Sequence, residues 1–505
     1  MGVPLLEAAA TRADALAVDD TVRTRTWGEL LDRAAGIAHW WRDGLGLASG
    51  DHVAMVMGNR VEFVELALAA VLSGVWMTPV NWHLTADEIA FILDDSGARV
   101  VVVDPTFAET TRAAVAGIER PITLVVAGDE LDAVIAAAGR RPVDERAPAG
   151  GQMLYTSGTT GRPKGVKRAL TPTVRHSLVT APSAASHLGL DGNGPHLVTG
   201  PLYHAAPGGF GLLDLFNGAS LVLMPSWDAA ETLRLIGERG IRNTHLVPTM
   251  FVRLLRLPDD VRAAFDPSGL HVVLHGAAPI APAVKQRMIE WWGDVIVEYW
   301  GGSEGGVVTL VGADEWLGHP GTVGRALPSY EVFAVDDERR PLPSGETGAL
   351  YCRNLLTTKV FEYHNDAAKT AAAHLEPGVY TLGDIGRVED DGYVYLSDRA
   401  AHTIISGGVN IYPAEIEQVL IEHPAVLDVA VFGIPDDEWG EQVKAVVQLA
   451  DGCAPSGELV EDLLAFARTR LAGFKVPRSV DFEAELPRSP AGKLYKQRLK
   501  ERYAT

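Results

Sequence analysis

Cysteine is nearly missing from this 505-residue chain, which holds only Cys352 and Cys453. Two isolated thiols give no disulfide framework and no Cys-x-x-Cys metal pair, a usage that suits a reducing cytoplasm. Positive charge is also scarce. Lys and Arg total 44 against 65 Asp and Glu, for a formal net charge of -21. That balance argues against broad nucleic-acid binding, though local cations and backbone dipoles can still hold small anions. Long hydrophobic runs are absent as well. The best one, Leu66 to Val80, is shorter than the roughly 20 residues of a membrane-spanning helix and contains Ser73, Gly74 and Pro79. It reads as a buried helix passing into a strand. This predicts no integral membrane segment and leaves peripheral membrane contact open. The N-terminus lacks the basic and apolar regions of a secretory leader. There are no internal repeats, and the alanine-rich stretch from Ala367 to Ala373 is short.

What is present is an ordinary soluble composition, 47% hydrophobic and 22% charged. At this length one core is not enough, so several domains or subdomains are expected. Thr26-Trp27-Gly28-Glu29 has capping-box spacing and opens an amphipathic helix closed near Gly44. Strand-like His52 to Met57, a helix near Val61 to Leu72, strand-like Val75 to Val80 and a buried strand at Val100 to Val103 follow. Such alternation predicts parallel sheet covered by helices. It resumes with strands at Ser220 to Met224, His271 to Leu274 and Val295 to Tyr299, with a helix expected to open at Pro279. From about residue 330 the pattern changes to short strands joined by Gly/Pro/Asp turns, as in a small β-barrel. After about residue 400 a compact α+β unit is expected, with Pro413 as the first residue of a helix.

The most informative segment is Leu154-Tyr155-Thr156-Ser157-Gly158-Thr159-Thr160-Gly161-Arg162-Pro163-Lys164-Gly165. Backbone N–H groups, hydroxyls and a cation in one glycine-rich loop can wrap a polyphosphate. It is not a Walker A loop, because four residues after Gly158 come Pro163-Lys164-Gly165 instead of Gly-Lys-[Ser/Thr]. A second segment, Glu298-Tyr299-Trp300-Gly301-Gly302-Ser303-Glu304-Gly305-Gly306, follows an apolar strand. It offers an aromatic ring for a base, a hydroxyl for a phosphate and a carboxylate for Mg²⁺. Asp384 follows Thr381-Leu382-Gly383, and a carboxylate can accept two hydrogen bonds from a vicinal diol. Lys493 lies in Pro487-Arg488-Ser489-Pro490-Ala491-Gly492-Lys493, near a basic C-terminus.

In this order these segments resemble the motifs of the adenylate-forming superfamily: acyl-CoA synthetases, adenylation domains of peptide synthetases and firefly-type luciferases. The resemblance runs from the Thr26 helix to the Lys493 block. It implies an α/β fold. A large N-terminal domain (1–400) would contain two α/β sheet subdomains plus a small β-barrel. A small mobile α+β C-terminal domain (401–505) would act as a lid. Thr156, Ser157, Gly158, Thr159, Thr160, Gly161 and Lys164 would grip ATP phosphates. Gly276, Ala277, Ala278, Tyr299, Trp300, Gly301, Ser303, Asp384 and Arg399 would hold the nucleotide, with the base stacked on Trp300 or Tyr299. Glu304 would bind Mg²⁺. His204, His275, Gly276, Gly301, Gly306 and Thr309 would border the acyl pocket. Lys493 would bridge the carboxylate and the α-phosphate, with Glu304 and His204 as the other catalytic candidates. Ser406, Gly407 and Gly408 would form a pantetheine tunnel after the lid rotates about Ala401, where the family usually has Lys or Asp.

The implied activity is ATP-dependent conversion of a carboxylic acid to an acyl-AMP, then transfer to coenzyme A. No acidic residue stands ready for an α-amino group. The expected acid is therefore hydrophobic, either fatty or bulky and polycyclic as in terpenoids and steroids. Two alternatives stay open at this point: transfer to a carrier protein or an amine, and a non-catalytic acyl- or nucleotide-binding protein. The assembly is also open, a homodimer among the options.

Overall fold

The computed structural model describes residues 2–139, 142–156, 163–406, 409–436, 438–489, 492 and 494–503. Helix Trp27–His39 begins where the sequence places it. The Thr26 side chain accepts from the Glu29 N–H, and Glu29 reaches back to the Thr26 N–H, so two orphan donors of the first turn are satisfied. Helix Val61–Ser73 is buried on every side, as its near-continuous apolar sequence requires. Its two carboxylates, Glu62 and Glu65, are paired with Arg23 and Arg60 and with Arg25 and Arg33. The run from Leu66 to Val80 is thus the end of this helix plus strand Trp76–Val80. Among the described residues no helix is long and apolar enough to cross a membrane.

Strand Trp76–Val80 lies in a five-stranded parallel sheet, flanked by His52–Val56 and Gly151–Gln152. The elements that carry the candidate site follow, in chain order. β1 (Leu154–Thr156) and β2 (Lys164–Arg168) pair antiparallel. Next come β3 (His196–Val198), α1 (Ala205–Phe216), β4 (Asn243–Leu246), α2 (Pro248–Leu255), β5 (Val272–His275) and α3 (Pro282–Trp292). The hairpin β6 (Ile296–Gly302) and β7 (Gly306–Gly312) completes this part. β3 to β7 belong to a nine-stranded sheet in which β3, β4, β5 and β6 run parallel and β7 turns back. Then come β8 (Phe361–Tyr363), α4 (Ala367–Ala373), β9 (Val379–Val388) and β10 (Val394–Arg399). β9 and β10 lie in an antiparallel five-stranded sheet, while β8 extends the β1–β2 pair. Beyond Ala401, α5 (Pro413–Leu420) packs on another five-stranded sheet, around Ile404, Val431, Ala445 and Leu463. The two α/β sheets, the antiparallel sheet and this last α+β unit match the expected α/β architecture.

One local expectation changes. The helix expected to open at Pro279 starts at Pro282, because the chain first turns through Ala277 in the left-handed region (φ 66°). The alanine-rich stretch is a capped helix, with the Asp366 side chain accepting from the Lys369 N–H.

The join into β1 depends on a residue without a side chain. A Cβ on Gly150 would lie 2.1 Å from the Val75 carbonyl oxygen and 2.2 Å from that of Ala70, both backbone atoms. Gly150→Ala is expected to cost about 1–3 kcal/mol, the range for overpacking, and to lower the thermal midpoint. Gly237→Ala, in a helix with nothing within 4 Å of the new methyl, is expected to leave it unchanged or raise it slightly. Thermal unfolding of both variants checks the pair.

Candidate active site

The β6–β7 hairpin is built by its glycines. A Cβ on Gly301 would sit 2.0 Å from the Gly306 carbonyl oxygen, and one on Gly305 would sit 2.0 Å from the Tyr380 hydroxyl. Gly306 has φ 78°. The Tyr330 hydroxyl donates to the Gly305 carbonyl at 2.7 Å, which seats the tip on the antiparallel sheet. Ser303 and Glu304 stand at this tip. The Tyr363 hydroxyl on β8 donates to Glu304 Oε1 at 3.0 Å. Burial, and then Glu304 itself, push the Tyr363 phenol above its ordinary range, so it stays a donor.

Tyr299 and Trp300 point to opposite sides, as successive strand residues do. The Trp300 indole N–H donates to Asp384 Oδ2 at 2.8 Å. Arg399 Nε lies 2.7 Å from Asp384 Oδ1, and Asp384 and Arg399 are cross-strand partners on β9 and β10. Asp384 is 5% exposed. Burial raises its pKa, while Arg399 and Trp300 pull the other way. Both oxygens are engaged, yet an ionised carboxylate has about four acceptor positions, which leaves capacity for a diol.

Thr156 and Lys164 are cross-strand partners closing the base of the glycine-rich loop. Ser157, Gly158, Thr159, Thr160 and Gly161 lie outside the described residues. The Lys164 ammonium is 2.9 Å from Asp366 Oδ2. Lys369 stands close by, its pKa lowered by burial and then by Lys164. Lys164 and Lys369 thus bring two ammonium groups beside the loop, balanced by Asp366 and, for Lys369, by Glu304 as well.

Tyr299 faces α1. Its ring meets Phe210 edge-on at 5.0 Å, and its hydroxyl is 3.1 Å from His245 Nε2. Gly276 passes directly over that ring: a Cβ there would be 2.9 Å from it. Non-glycine residues at positive φ cluster where function over-determines the backbone, and Ala277 is one. His204 is the N-cap residue of α1, its ring 4.5 Å from that of Tyr203.

Two side chains expected at the acyl pocket are elsewhere. His275 points to the opposite face of the sheet, 5.1 Å from the Phe251 ring and 3.8 Å from Glu298. Strand alternation puts Leu274, not His275, on the α1 side. Thr309 is buried and donates to the Val323 carbonyl at 2.5 Å, so its hydroxyl holds a neighbouring turn.

Lys493, like Gly407 and Gly408, lies outside the described residues, while its neighbours Gly492 and Tyr495 lie near the start of α2 and near Tyr203. A Cβ on Gly492 would be 3.0 Å from Thr249 and Val247 at the start of α2. Tyr495 is near enough to Tyr203 to add to the effect of burial in raising that phenol's pKa. Arg256 donates to the Val426 carbonyl, a further link across the two parts. Ala401 is exposed in the turn Ala400–His402. Just before it, Asp398 accepts from the Ala414 N–H at the start of α5. Ser406 pairs with Val409 and Gly440.

Several groups have no signature in the sequence. Tyr363, Asp366 and Lys369 join the site from about 60 residues downstream of Glu304. Lys285 and Glu298 form a buried pair at 2.6 Å behind β6. Burial lowers the Lys285 pKa and raises that of Glu298, each opposed by its partner. Trp300→Phe is expected to keep the ring and lose the bond to Asp384. A hydrogen bond to a charged group is worth about 1.5 kcal/mol, so the KM for ATP should rise about tenfold in a pyrophosphate-release assay.

Known proteins share the fold along nearly the whole chain. The family model described as AMP-binding enzyme matches residues 5–361, and the AMP-binding enzyme C-terminal domain matches residues 415–493. The chain is 34% identical over 467 residues to the long-chain-fatty-acid–CoA ligase FadD13 of Mycobacterium tuberculosis, covering 91% of this chain and 90% of that one. It is 35% identical over 492 residues to a feruloyl-CoA synthase of Amycolatopsis sp, covering 95% and 94%. The solved structure of ATP-bound MatB from Rhodopseudomonas palustris superposes with a TM-score of 0.84 at 27% identity, covering 100% of this chain and 99% of that one. The chain belongs to the AMP-binding enzymes of the adenylate-forming superfamily, as an acyl-CoA-synthetase-like acid–thiol ligase.

Proposed function

We propose that the protein activates a largely hydrophobic carboxylic acid with Mg-ATP and passes the acyl group to coenzyme A. The observation that carries this reading is the convergence of Trp300, Asp384 and Arg399 from three separate strands beside the Glu304 hairpin. Asp384 would hold the ribose hydroxyls, and Trp300 beside it would stack on the base. Lys164 and the glycine-rich loop would hold the β- and γ-phosphates that leave as pyrophosphate. Among the described residues no cluster of three or more His, Cys, Asp or Glu could cage a metal. A lone carboxylate such as Glu304 fits Mg²⁺, which takes most of its ligands from phosphates and water. When bound, the ion would neutralise phosphate charge.

In the first half-reaction the acid's carboxylate oxygen attacks the α-phosphorus and pyrophosphate departs. Two anions must meet, so neutralisation and positioning carry the rate. The Lys493 ammonium is suited to this, since a cation between two anions neutralises both. His204 at the start of α1 would sit near the acyl carboxylate. In the second half-reaction the C-terminal unit (401–505) would turn about Ala401. The loop after Ser406 would then line the path by which the CoA sulfur attacks the acyl carbon and expels AMP.

Lys493→Ala is expected to slow acyl-AMP formation by about 10²–10³-fold, while thioester formation from supplied acyl-AMP stays near normal. Single-turnover assays of each half-reaction check this, and an equal fall in both would remove domain alternation from the account. Ala401→Pro is expected to do the reverse, because proline stiffens the backbone at the hinge. The deciding experiment is a carboxylic-acid panel with ATP, Mg²⁺ and CoA, read by mass spectrometry. Acyl-AMP without a thioester would point to a carrier-protein or amine acceptor. No pyrophosphate with any acid would point to a binding protein without catalysis.

A further inference from the structure

The face of the nine-stranded sheet beneath α1 carries an unusual row of polar side chains. His196 on β3 and Asn243 on β4 are cross-strand partners, both 0% exposed. His245 lies two residues beyond Asn243, on the same face, and its hydroxyl partner Tyr299 is on β6. α1 covers the row. Asp214 accepts from Asn243 Nδ2 at 2.8 Å and bonds His196 Nδ1 at 3.0 Å. One turn earlier on α1, Phe210 packs against His245 at 5.3 Å and Tyr299 at 5.0 Å. Around this row the same layer is apolar: Leu188, Val272, Leu274, Val307 and Leu310.

Two features mark the row as more than a structural network. Asp214 is satisfied by the Gly192 N–H, His196 and Asn243. Yet His196 Nε2 and Asn243 Oδ1 have no partner among the described residues, although both residues are wholly buried. Asn243 gives its Nδ2–H to Asp214, so its orphan Oδ1 is an amide oxygen that can only accept and calls for a donor. A buried acceptor without a partner is destabilising. The His245–Tyr299 pair has the opposite surplus. Burial lowers the His245 pKa to about 3, so the ring is neutral and carries one N–H. Together with the Tyr299 O–H the pair holds two hydrogens, and the bond between them uses one. The row therefore offers an acceptor, Asn243 Oδ1, and a spare donor in the His245–Tyr299 pair, as a hydroxyl requires. Ala205, Ala206 and Gly209 of α1 are partly exposed small residues, and no atom lies within 4 Å of where a Gly209 side chain would begin.

We infer that the acid activated by this chain carries a hydroxyl group on a ring, remote from its carboxylate, and that the buried row His196, Asn243, His245 and Tyr299 binds it beneath α1. The inference rests on the ligase reading above and narrows its substrate. An unsubstituted long alkyl chain would leave the same polar groups unmet and gain nothing from them. A site built to hydrogen-bond a substrate hydroxyl rejects the analogue without one far more strongly than an apolar pocket distinguishes a methylene.

The test compares kcat/KM for 3-(4-hydroxyphenyl)propanoate, 3-phenylpropanoate and hexadecanoate, with ATP, Mg²⁺ and CoA. The hydroxylated acid is expected to exceed its deoxy analogue by at least about tenfold, mainly through KM, and to exceed hexadecanoate. His245→Leu is expected to bring the hydroxy-to-deoxy ratio towards one, and His245→Gln, whose amide can still donate and accept, to restore much of it. Tyr299→Phe, which removes a single oxygen, gives the same reading if His245→Leu does not fold. A wild-type ratio near one, a preference for hexadecanoate, or a ratio untouched by these variants would overturn the inference while leaving the ligase reading intact. Absence of both AMP and thioester across the whole acid panel would instead overturn the ligase reading, and this inference with it.

Discussion

The buried carboxylate of Asp384 is the point on which the site's geometry turns. Taking a carboxylate out of water is costly unless it is paired and hydrogen-bonded. Here the Trp300 indole N–H and the Arg399 guanidinium do both, from strands that belong to two different sheets. The contact therefore fixes the end of β6 against β9 and β10. Everything beyond it inherits that position. The Glu304 turn follows Trp300 by four residues, and Ala401 follows Arg399 by two. Asp398, one residue before Arg399, then ties the strand to the start of α5. One buried carboxylate thus sets where the proposed nucleotide-binding groups stand and where the chain turns into α5.

Close backbone packing is the second constraint. Gly276 over the Tyr299 ring, Gly301 against Gly306 and Gly305 against Tyr380 leave no room for a side chain. These contacts bring main chain, rather than flexible side chains, to the walls of the site. Ala277 in the left-handed region belongs to the same arrangement. Such walls are pre-organised, which suits chemistry that depends on positioning two anions.

Much of this was legible in the residues themselves. The glycine-rich loop, the Trp300–Glu304 segment, Asp384, Arg399 and the Lys493 block each have a local pattern, and their order pointed to one superfamily. The Thr26 capping box and the Val100–Val103 strand were readable because propensity and burial agree there. His275 and Thr309 were misplaced for a shared reason. A motif shows that a segment borders a site, while strand alternation and twist decide which side chains face it. Tyr363, Asp366 and Lys369 were invisible because nothing local marks them. They matter only after β8 is laid beside β2, where its Tyr363 pairs with Val166.

By itself, then, the sequence determined the chemistry class: glycines where the backbone must approach a ligand, and carboxylates and cations spaced as an adenylate site uses them. It also determined the succession of helices and strands, since hydrophobic period and caps are local properties. Only the tertiary structure decided which way each side chain points. It joined Trp300 to Asp384 across 84 residues and Tyr363 to Glu304 across 59. It also gathered His196, Asn243, His245 and Tyr299 into one buried row beneath α1. The physical reason is that burial and hydrogen-bond satisfaction are properties of neighbours in space, and a chain's spacing along the sequence does not contain them.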